Sequence, residues 1–600
     1  MIERMLKYTF LLHHSDYLDF LTELQKLGMV HILKSTSDKS DKLVQTHHDI
    51  EAYTNALKFL RKWVTDTSEA KATSLTASGM LKQLNEMHLE KERLHLQYNV
   101  LAKEIADLEP WGDFDYNLLK GLENSGLQLD LYYCTKHHFK PEWLEQYTIQ
   151  EINSAGHLIY FALLHKKEEP VQIDAESFKL PPKTLSELRK QEITIGENLK
   201  AIDAFYRETS PAAIELFTAE LEKLSHAYEF EEANLQSVPE ADNQVMILQG
   251  WIPKRLEENL LNFLQTGSVV YFSVKARVED NPPILLRNNW FARIFEPIGK
   301  MFMLPFYNEL DLTPFLAPFY MLFFGFCSGD AGYGVILFLL GWFLKKKIKN
   351  PDTRPFLTLI QTLGIGTVIM GFVMGNFFAF DMKNVSFLNP MIPIRDTNQI
   401  FNFALLLGVI QIVVGKILNA VKRMMQFGFV HGLAQLGLTI FVLSLAVQGS
   451  TMLGANPGSL LKFTPYGMYL GLGMVLLLNT PGKNIFLNIA NGLWIMYGAV
   501  TGFFGDLLSY IRLFALGVSS GILGFVINTM AAQFGVIPII GPVLYILFMI
   551  GGHGLNIALS SLGAFVHPMR LTFVEFFNNA GFSGPGIAYK PFGKQNQEIK

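Results

Sequence analysis

The sequence predicts an α-helical membrane domain of about eight transmembrane helices, the last two long and tilted, preceded by an elongated cytoplasmic α/β domain with an antiparallel coiled coil. Three features predict it: the uneven distribution of charge, a series of apolar segments after Pro314, and a heptad seam in the first half. The chain has 600 residues, half of them hydrophobic, with 50 Lys and Arg and 54 Asp and Glu. Of these charges, 78 fall in residues 1–300 and only 26 in residues 301–600. A lipid interior excludes charge, so the first half reads as soluble and the second as membrane. The expected divisions are 1–300 cytoplasmic, 301–585 transmembrane and 586–600 a cytoplasmic tail.

The charge balance and the cysteines exclude several function classes. The soluble half has 45 acidic against 33 basic residues, a sign that disfavours a phosphate backbone, and nucleic acid is not an expected partner. Cys134 and Cys327 lie one in each half, too few for a disulfide framework or a zinc site. Neither a metal nor a cofactor is expected. The apolar run Tyr8 to Leu12 is too short for a secretory signal. No Gly-rich phosphate loop of the P-loop type occurs in residues 1–300, so the chain is not expected to hydrolyse ATP itself.

In the soluble half, Met80, Leu84, Met87, Lys91, Leu94, Tyr98, Leu101, Ile105 and Leu108 alternate steps of four and three, a heptad seam on a helix that needs a partner. Pro110 ends it. The expected partner runs from Thr184 to about Leu235, where Leu185, Leu188, Ile195, Leu199 and Ile202 repeat the spacing more weakly. Short strand-like runs at Lys7 to Leu12, Val30 to Leu33, Leu127 to Cys134, His157 to Leu164, Val245 to Trp251 and Ser268 to Val274 read as α/β lobes at the ends of a rod. A compact mixed domain without a rod is the alternative, because heptad spacing also occurs in core helices.

Apolar segments long enough to cross a bilayer fall at about 315–344, 355–380, 399–421, 428–449, 463–480, 492–535 and 537–580. The first holds SGDAGYG at its centre and is read as two short helices meeting at Gly329 to Gly334, which makes eight. With a cytoplasmic N-terminus, eight helices put the clusters at Lys345 to Arg354, Lys422 and Arg423, Lys483, and Lys590 to Lys600 on the cytoplasmic side, as the excess of Lys and Arg there requires. The 381–396 loop then lies on the far side.

Leu513 to Met569 contains no Asp, Glu, Lys or Arg, and Arg512 and Arg570 bound it. An arginine within a membrane helix costs about 2.5 to 3.5 kcal/mol on the insertion scale, so it faces a polar cavity or a partner charge unless it snorkels from a helix end. At 100° per residue, His567, Gly563, Ser560, Asn556 and His553 all fall within about 100° of Arg570, a single polar stripe. Ser509, Ser519 and Ser520 lie within about 80° of Arg512, and Asn528 lies opposite. Two such stripes read as walls of an ion path. Ordinary interhelical hydrogen bonding is the alternative for the serines and histidines taken singly.

Three motifs, FFGFCSGDAGYG (323–334), GDLLSYIRLFALG (505–517) and LSSLGAFVHPMRLTFVEFF (559–577), resemble subunit I, also called subunit a, of the V-type and A-type ATPases, the 116 kDa subunit family. NELDLTPFLAPF (308–319), LQGWIPK (248–254) and YKPF (589–592) extend the likeness along the chain. The resemblance implies a non-catalytic stator subunit of a rotary ATPase. Its membrane half would form proton or sodium half-channels against a rotor proteolipid ring, and its soluble half would bind E/G-type peripheral stalks and a C/d-type central-stalk subunit. It implies Arg512 as the principal arginine and Arg570 as the second. The ion-path candidates are Arg512, Arg570, His567, Glu575, Ser560, Asn556, Ser519, Ser520 and Asp506, with Glu575 toward the cytoplasm. Two positions depart from eukaryotic relatives, which carry a glutamate at Ser560 and a histidine at Ser520. The short length resembles bacterial and archaeal members and implies a prokaryotic cell membrane. The rival reading from another class is a secondary transporter with a regulatory soluble domain, against which stands the lack of evident inverted repeats. A scaffold without an ion path would leave both arginines unexplained.

Overall fold

The computed structural model describes all residues except 34–39, 65–74, 167–170, 172, 241–243, 266–268, 349–352, 383–391, 395, 453–457, 480–483, 536–537, 539 and 594–600. Lys483, most of the 381–396 loop and the end of the tail, all used above for topology, lie outside the described residues. The chain forms two compact units, Thr36–Leu235 and a second made of Met1–Ser35 with Gln236–Lys600.

The smaller unit is built on the expected helix pair. Ala77–Leu108 and Leu185–Leu235 pack side by side, and the 51 residues of the second give it a length of about 76 Å at ~1.5 Å per residue. Their order is antiparallel. Leu101, Ile105 and Leu108 cluster with Leu185 and Leu188, whereas Met80 and Leu84 cluster with Ala213 and Phe217. Between these ends Leu94 meets Ile202 and Tyr206. Lys91, the one charged residue on the seam, is paired with Asp203 and lies 4.8 Å from the Trp63 ring. A further helix, Asp41–Leu60, covers the Phe217 end through Tyr53, Leu57 and Leu60. A four-stranded antiparallel sheet, in the order Thr148–Ala155, Leu158–Lys166, Leu127–Thr135, Glu176–Phe178, completes this unit. It stacks Trp111 on Phe178 at the Leu108 end of the helix pair.

The larger unit opens with an antiparallel sheet in the order His31–Ile32, Val245–Pro253, Met5–His13, Val270–Lys275, with Val238–Glu240 also pairing to Val245–Pro253. The C-terminal segment returns to this sheet. Tyr589 donates its hydroxyl to the Met29 carbonyl, the Phe592 amide donates to the Val30 carbonyl at 2.8 Å, and Phe592 is buried. Burial is the main reason the Tyr589 phenol is held far above its ordinary pKa, so it stays a donor.

Among the described residues, eight long helices, α1 to α8, build the apolar half: Thr313–Ser328, Ala331–Lys347, Arg354–Met374, Thr397–Phe427, Phe429–Met452, Leu460–Leu478, Ile485–Phe534 and Gly541–Arg570. Six of them, α3 to α8, are long and apolar enough to cross a membrane, where the sequence reading expects eight spans. The difference lies in the first apolar segment, which breaks into helices of 16 and 17 residues, each about 24 to 26 Å long at ~1.5 Å per residue, short of a ~30 Å hydrocarbon core. Gly329 makes the break in the left-handed conformation, at φ 62°. Asp330 then caps α2. Gly325 lies against Gly366, and Met370 follows along the same line, so α1 runs parallel to α3. Gly334 meets Gly364 and Gly341 meets Leu357 and Gln361, so α2 returns antiparallel along the same helix. Such small residues permit close backbone approach where no hydrophobic drive exists between helices.

Helix α3 ends at Met374, six residues before the expected 380. Beyond it Asn376–Phe377 and Phe380–Asp381 form a small hairpin. The 50 residues of α7 extend about 75 Å at ~1.5 Å per residue, more than twice a bilayer core. After Arg570 the backbone takes a π-helical turn, Leu571–Phe576.

Candidate ion path and the family of the chain

Arg512 sits in the middle of α7, on a helix whose buried seam includes Phe503, Tyr510, Leu513, Gly517 and Ser520. The guanidinium is half-buried, and its Nη1 is enclosed without a hydrogen-bond partner among the described residues. No ion pair to Arg512 occurs among them either. His567, on the facing stripe of α8, lies within electrostatic range of both Arg512 and Arg570. Arg570 itself is exposed at the end of α8.

The remaining candidates divide into two groups on either side of Arg512 along α7. Toward Lys422 lies Asp506, whose Oδ2 accepts from Asn579 Nδ2 at 2.7 Å, and the same nitrogen donates to the Glu575 carbonyl at 2.7 Å. Lys416, buried on α4, faces Asp506. Glu575 is only 3% exposed and its Oε2 has no partner among the described residues; nor do Gln411 Nε2 and Thr572 Oγ1. Tyr510 donates to Gln411 Oε1 at 2.7 Å. Enclosed polar atoms without protein partners mark places for water.

On the other side, Asn556 Nδ2 donates to the Ser520 carbonyl at 3.2 Å and to the Tyr333 hydroxyl at 2.8 Å, and Ser520 Oγ donates to the Ser328 carbonyl at 3.0 Å. His553 bridges Tyr333 and Asn528. Asn528, which helical arithmetic sets opposite Arg512, therefore joins this polar group, because α8 meets a different side of α7 at that level. Ser519 and Ser560 do not join either group. Ser519 is exposed, and Ser560 Oγ bonds the carbonyl of Ile557 on its own helix at 3.3 Å.

Sequence reasoning missed Lys416, Gln411, Asn419, Asn579 and Tyr333. A signal existed for three of them, since Gln411, Lys416 and Asn419 fall within one side of α4 and all are buried. Asn579 and Tyr333 carry no periodic signal of their own.

The V-type ATPase 116kDa subunit family matches residues 179–380. The A-type ATP synthase subunit I of Methanocaldococcus jannaschii is 30% identical over 390 residues, which cover 58% of this chain and 55% of that protein. The V-type ATP synthase subunit I of Borreliella burgdorferi is 25% identical over 630 residues, covering the whole of both chains. The chain thus matches about half the length of the archaeal relative and all of the bacterial one. Among solved structures, the cytoplasmic N-terminal domain of subunit I, homolog of subunit a, of V-ATPase matches 45% of this chain at 14% identity with a TM-score of 0.22. The relatives are named as a subunit of an ATP synthase rather than as the whole, and this chain is similar to the V-type and A-type ATPase subunit I family.

Proposed function

We propose that this chain is the non-catalytic stator subunit of a V/A-type rotary ATPase, carrying the half-channels through which an ion reaches and leaves a rotor proteolipid ring. The observation that carries the reading is the half-buried Arg512 guanidinium, whose enclosed Nη1 has no partner among the described residues, with a polar group of residues on each side of it along α7. A rotor carboxylate crossing lipid must be neutral, since an unpaired charge there is prohibitive. Beside a fixed guanidinium the ionised carboxylate is favoured and the ion leaves. Arginine suits this role because it remains charged at every relevant pH. Its charge also repels a cation that would pass directly from one group to the other.

On this reading Asp506, Glu575 and Asn579 line the cytoplasmic half-channel, while Ser520 and Asn556 line the far one. Arg570 and His567 tune the passage between them, and Ser519 and Ser560 act through the water that fills it. The short α1 and α2 complete eight spans as a hairpin in a prokaryotic cell membrane, with the N-terminal half and the C-terminus in the cytoplasm. Residues 1–300, with an antiparallel coiled coil of Ala77–Leu108 and Leu185–Leu235, anchor the E/G-type peripheral stalks and the C/d-type central-stalk subunit. Residues 301–585 translocate the ion and 586–600 form the tail. The chain itself carries no nucleotide site, and the other subunits supply ATP chemistry.

The test is Arg512→Lys in the assembled complex, reconstituted into vesicles. Lysine keeps a charge but can lose its proton when desolvated, so the ATP-driven ion gradient should vanish while assembly persists. A wild-type gradient with assembly confirmed would refute the reading.

A further inference from the structure

Hydrogen-bond polarity along the far-side group is fixed from end to end. Asn528 Nδ2 donates to the Phe378 carbonyl at 2.9 Å, which turns Asn528 Oδ1 toward His553 Nε2, also at 2.9 Å. An amide oxygen only accepts, so Nε2 carries the hydrogen. His553 Nδ1 is therefore an acceptor, and the Tyr333 hydroxyl, 2.8 Å away, donates to it. The Tyr333 oxygen in turn accepts from Asn556 Nδ2 at 2.8 Å and keeps one lone pair free. Asn556 also donates to the Ser520 carbonyl, and the buried Ser328 Oγ beside that bond has no partner among the described residues, a place for water on the Arg512 side. At the opposite end Asn528 is half-exposed.

From this juxtaposition we propose, resting on the stator reading above, that Tyr333 and His553 form a proton relay between the Arg512 region and the far side of the membrane, so that the ion passed is H⁺. A proton arriving from water on the Arg512 side binds the free lone pair of the Tyr333 oxygen as the original hydroxyl proton moves to His553 Nδ1. The hydronium O–H bond breaks as the new tyrosine O–H bond forms, and the old tyrosine O–H bond breaks as the N–H bond forms, leaving water, a neutral tyrosine and an imidazolium. Nε2 then releases its proton to water on the Asn528 side, and water carries the remaining proton from Nδ1 to Nε2, breaking one N–H bond and forming another, which restores the starting tautomer. No oxidant or co-reactant is required. Among the described residues, the groups facing His553 are Tyr333 from α2, Phe378 from the hairpin and Asn528 from α7, with Asp330 the one charge in electrostatic range. Asp330 has both carboxylate oxygens engaged by backbone amides, so it does not compete for the proton. A sodium ion needs several oxygen ligands at once. At the step between Asn556 and Asn528 the described residues instead set one hydroxyl and one ring nitrogen in series.

The experiment uses the full complex in inverted vesicles in nominally sodium-free buffer, with a pH-sensitive dye reporting ATP-driven acidification. His553→Gln keeps a donor and an acceptor but cannot take up a proton, and Tyr333→Phe removes the hydroxyl. Each should slow acidification by about a hundredfold, the scale of a positioned proton-transfer group, while Arg512→Lys abolishes it. Should Arg512→Lys be inactive while both relay variants acidify at wild-type rate, the relay is overturned and the stator reading stands. Should Arg512→Lys acidify normally, the stator reading itself fails. ATP-driven uptake of radioactive sodium without acidification by the wild type would overturn the proton assignment, and Tyr333→Phe decides the relay alone if His553→Gln does not assemble.

Discussion

Asp330 holds the loop between α1 and α2, and removing its carboxylate should be among the most damaging single changes in the apolar half. The side chain is 2% exposed. Its Oδ1 accepts from the amides of Gly332, Tyr333 and Phe378 at 2.8, 3.2 and 2.8 Å, and its Oδ2 from that of Ala379 at 2.6 Å. Four backbone donors from two segments therefore converge on one group. Asp330→Ala leaves all four without that acceptor. At about 1 to 3 kcal/mol for each buried donor left unmade, even the low end gives about 4 kcal/mol. Asp330→Asn can keep the three bonds to Oδ1 but turns an amide NH₂ toward the Ala379 N–H, a loss of about 2 kcal/mol or more, since a bond to a charged group is worth about 1.5 to 3. The order wild type, Asn, Ala should appear as falling denaturation midpoints when the detergent-solubilised full chain is titrated with denaturant and followed by tryptophan fluorescence. If Asp330→Ala unfolds within about 1 kcal/mol of wild type, the four bonds are not what holds the hairpin, and the glycine seam with α3 must suffice.

Other consequences are as direct. Arg570→Lys and His567→Gln should each slow ion pumping in vesicles without abolishing it, because water along the stripe can take over part of the role; complete loss in either would make that residue equal in rank to Arg512. Single cysteines at Lys422 and Lys383 should label from opposite faces of sealed vesicles, and labelling from one face would break the eight-span topology. Phe592→Ala should cost about 3 to 5 kcal/mol locally, read as faster amide exchange in residues 586–593 and 29–33, with no change there refuting a packed tail.

Much of the fold is legible because lipid imposes a simple rule on composition. Charge is sparse where α3 to α8 run, and the SGDAGYG break can be read locally, from a glycine able to adopt positive φ and an aspartate able to cap the next helix. The overshoot to residue 380 has a different origin. The stretch Asn376–Phe380 is apolar enough to continue a helix, yet Asp330, remote in sequence, takes the amides of Phe378 and Ala379 and fixes a hairpin instead. In the smaller unit, Asp41–Leu60 shows only a weak apolar face, spread over Leu43, Tyr53, Ala56, Leu57 and Leu60, and its packing on Phe217 is a tertiary fact. The strand Thr148–Ala155 escapes notice because it is largely exposed and its side chains lack an apolar run. At the candidate path the arginines draw attention to α7 and α8, whereas the buried polar side of α4 lies in a helix with no arginine before Arg423.

The return of the C-terminal segment to the N-terminal sheet bears on how the last helix carries sideways load. A helix attached only at its head would swing like a reed when a passing partner drags on its flank. Helix α8 is instead a beam fixed at both ends, because the residues after Asn579 lead within thirteen positions to Tyr589 and Phe592, which are pinned to Met29 and Val30. Shear applied near Arg570 is then divided between the junction with α7 and this second mounting, and the part reaching the sheet is borne by main-chain bonds and buried rings, which deform little.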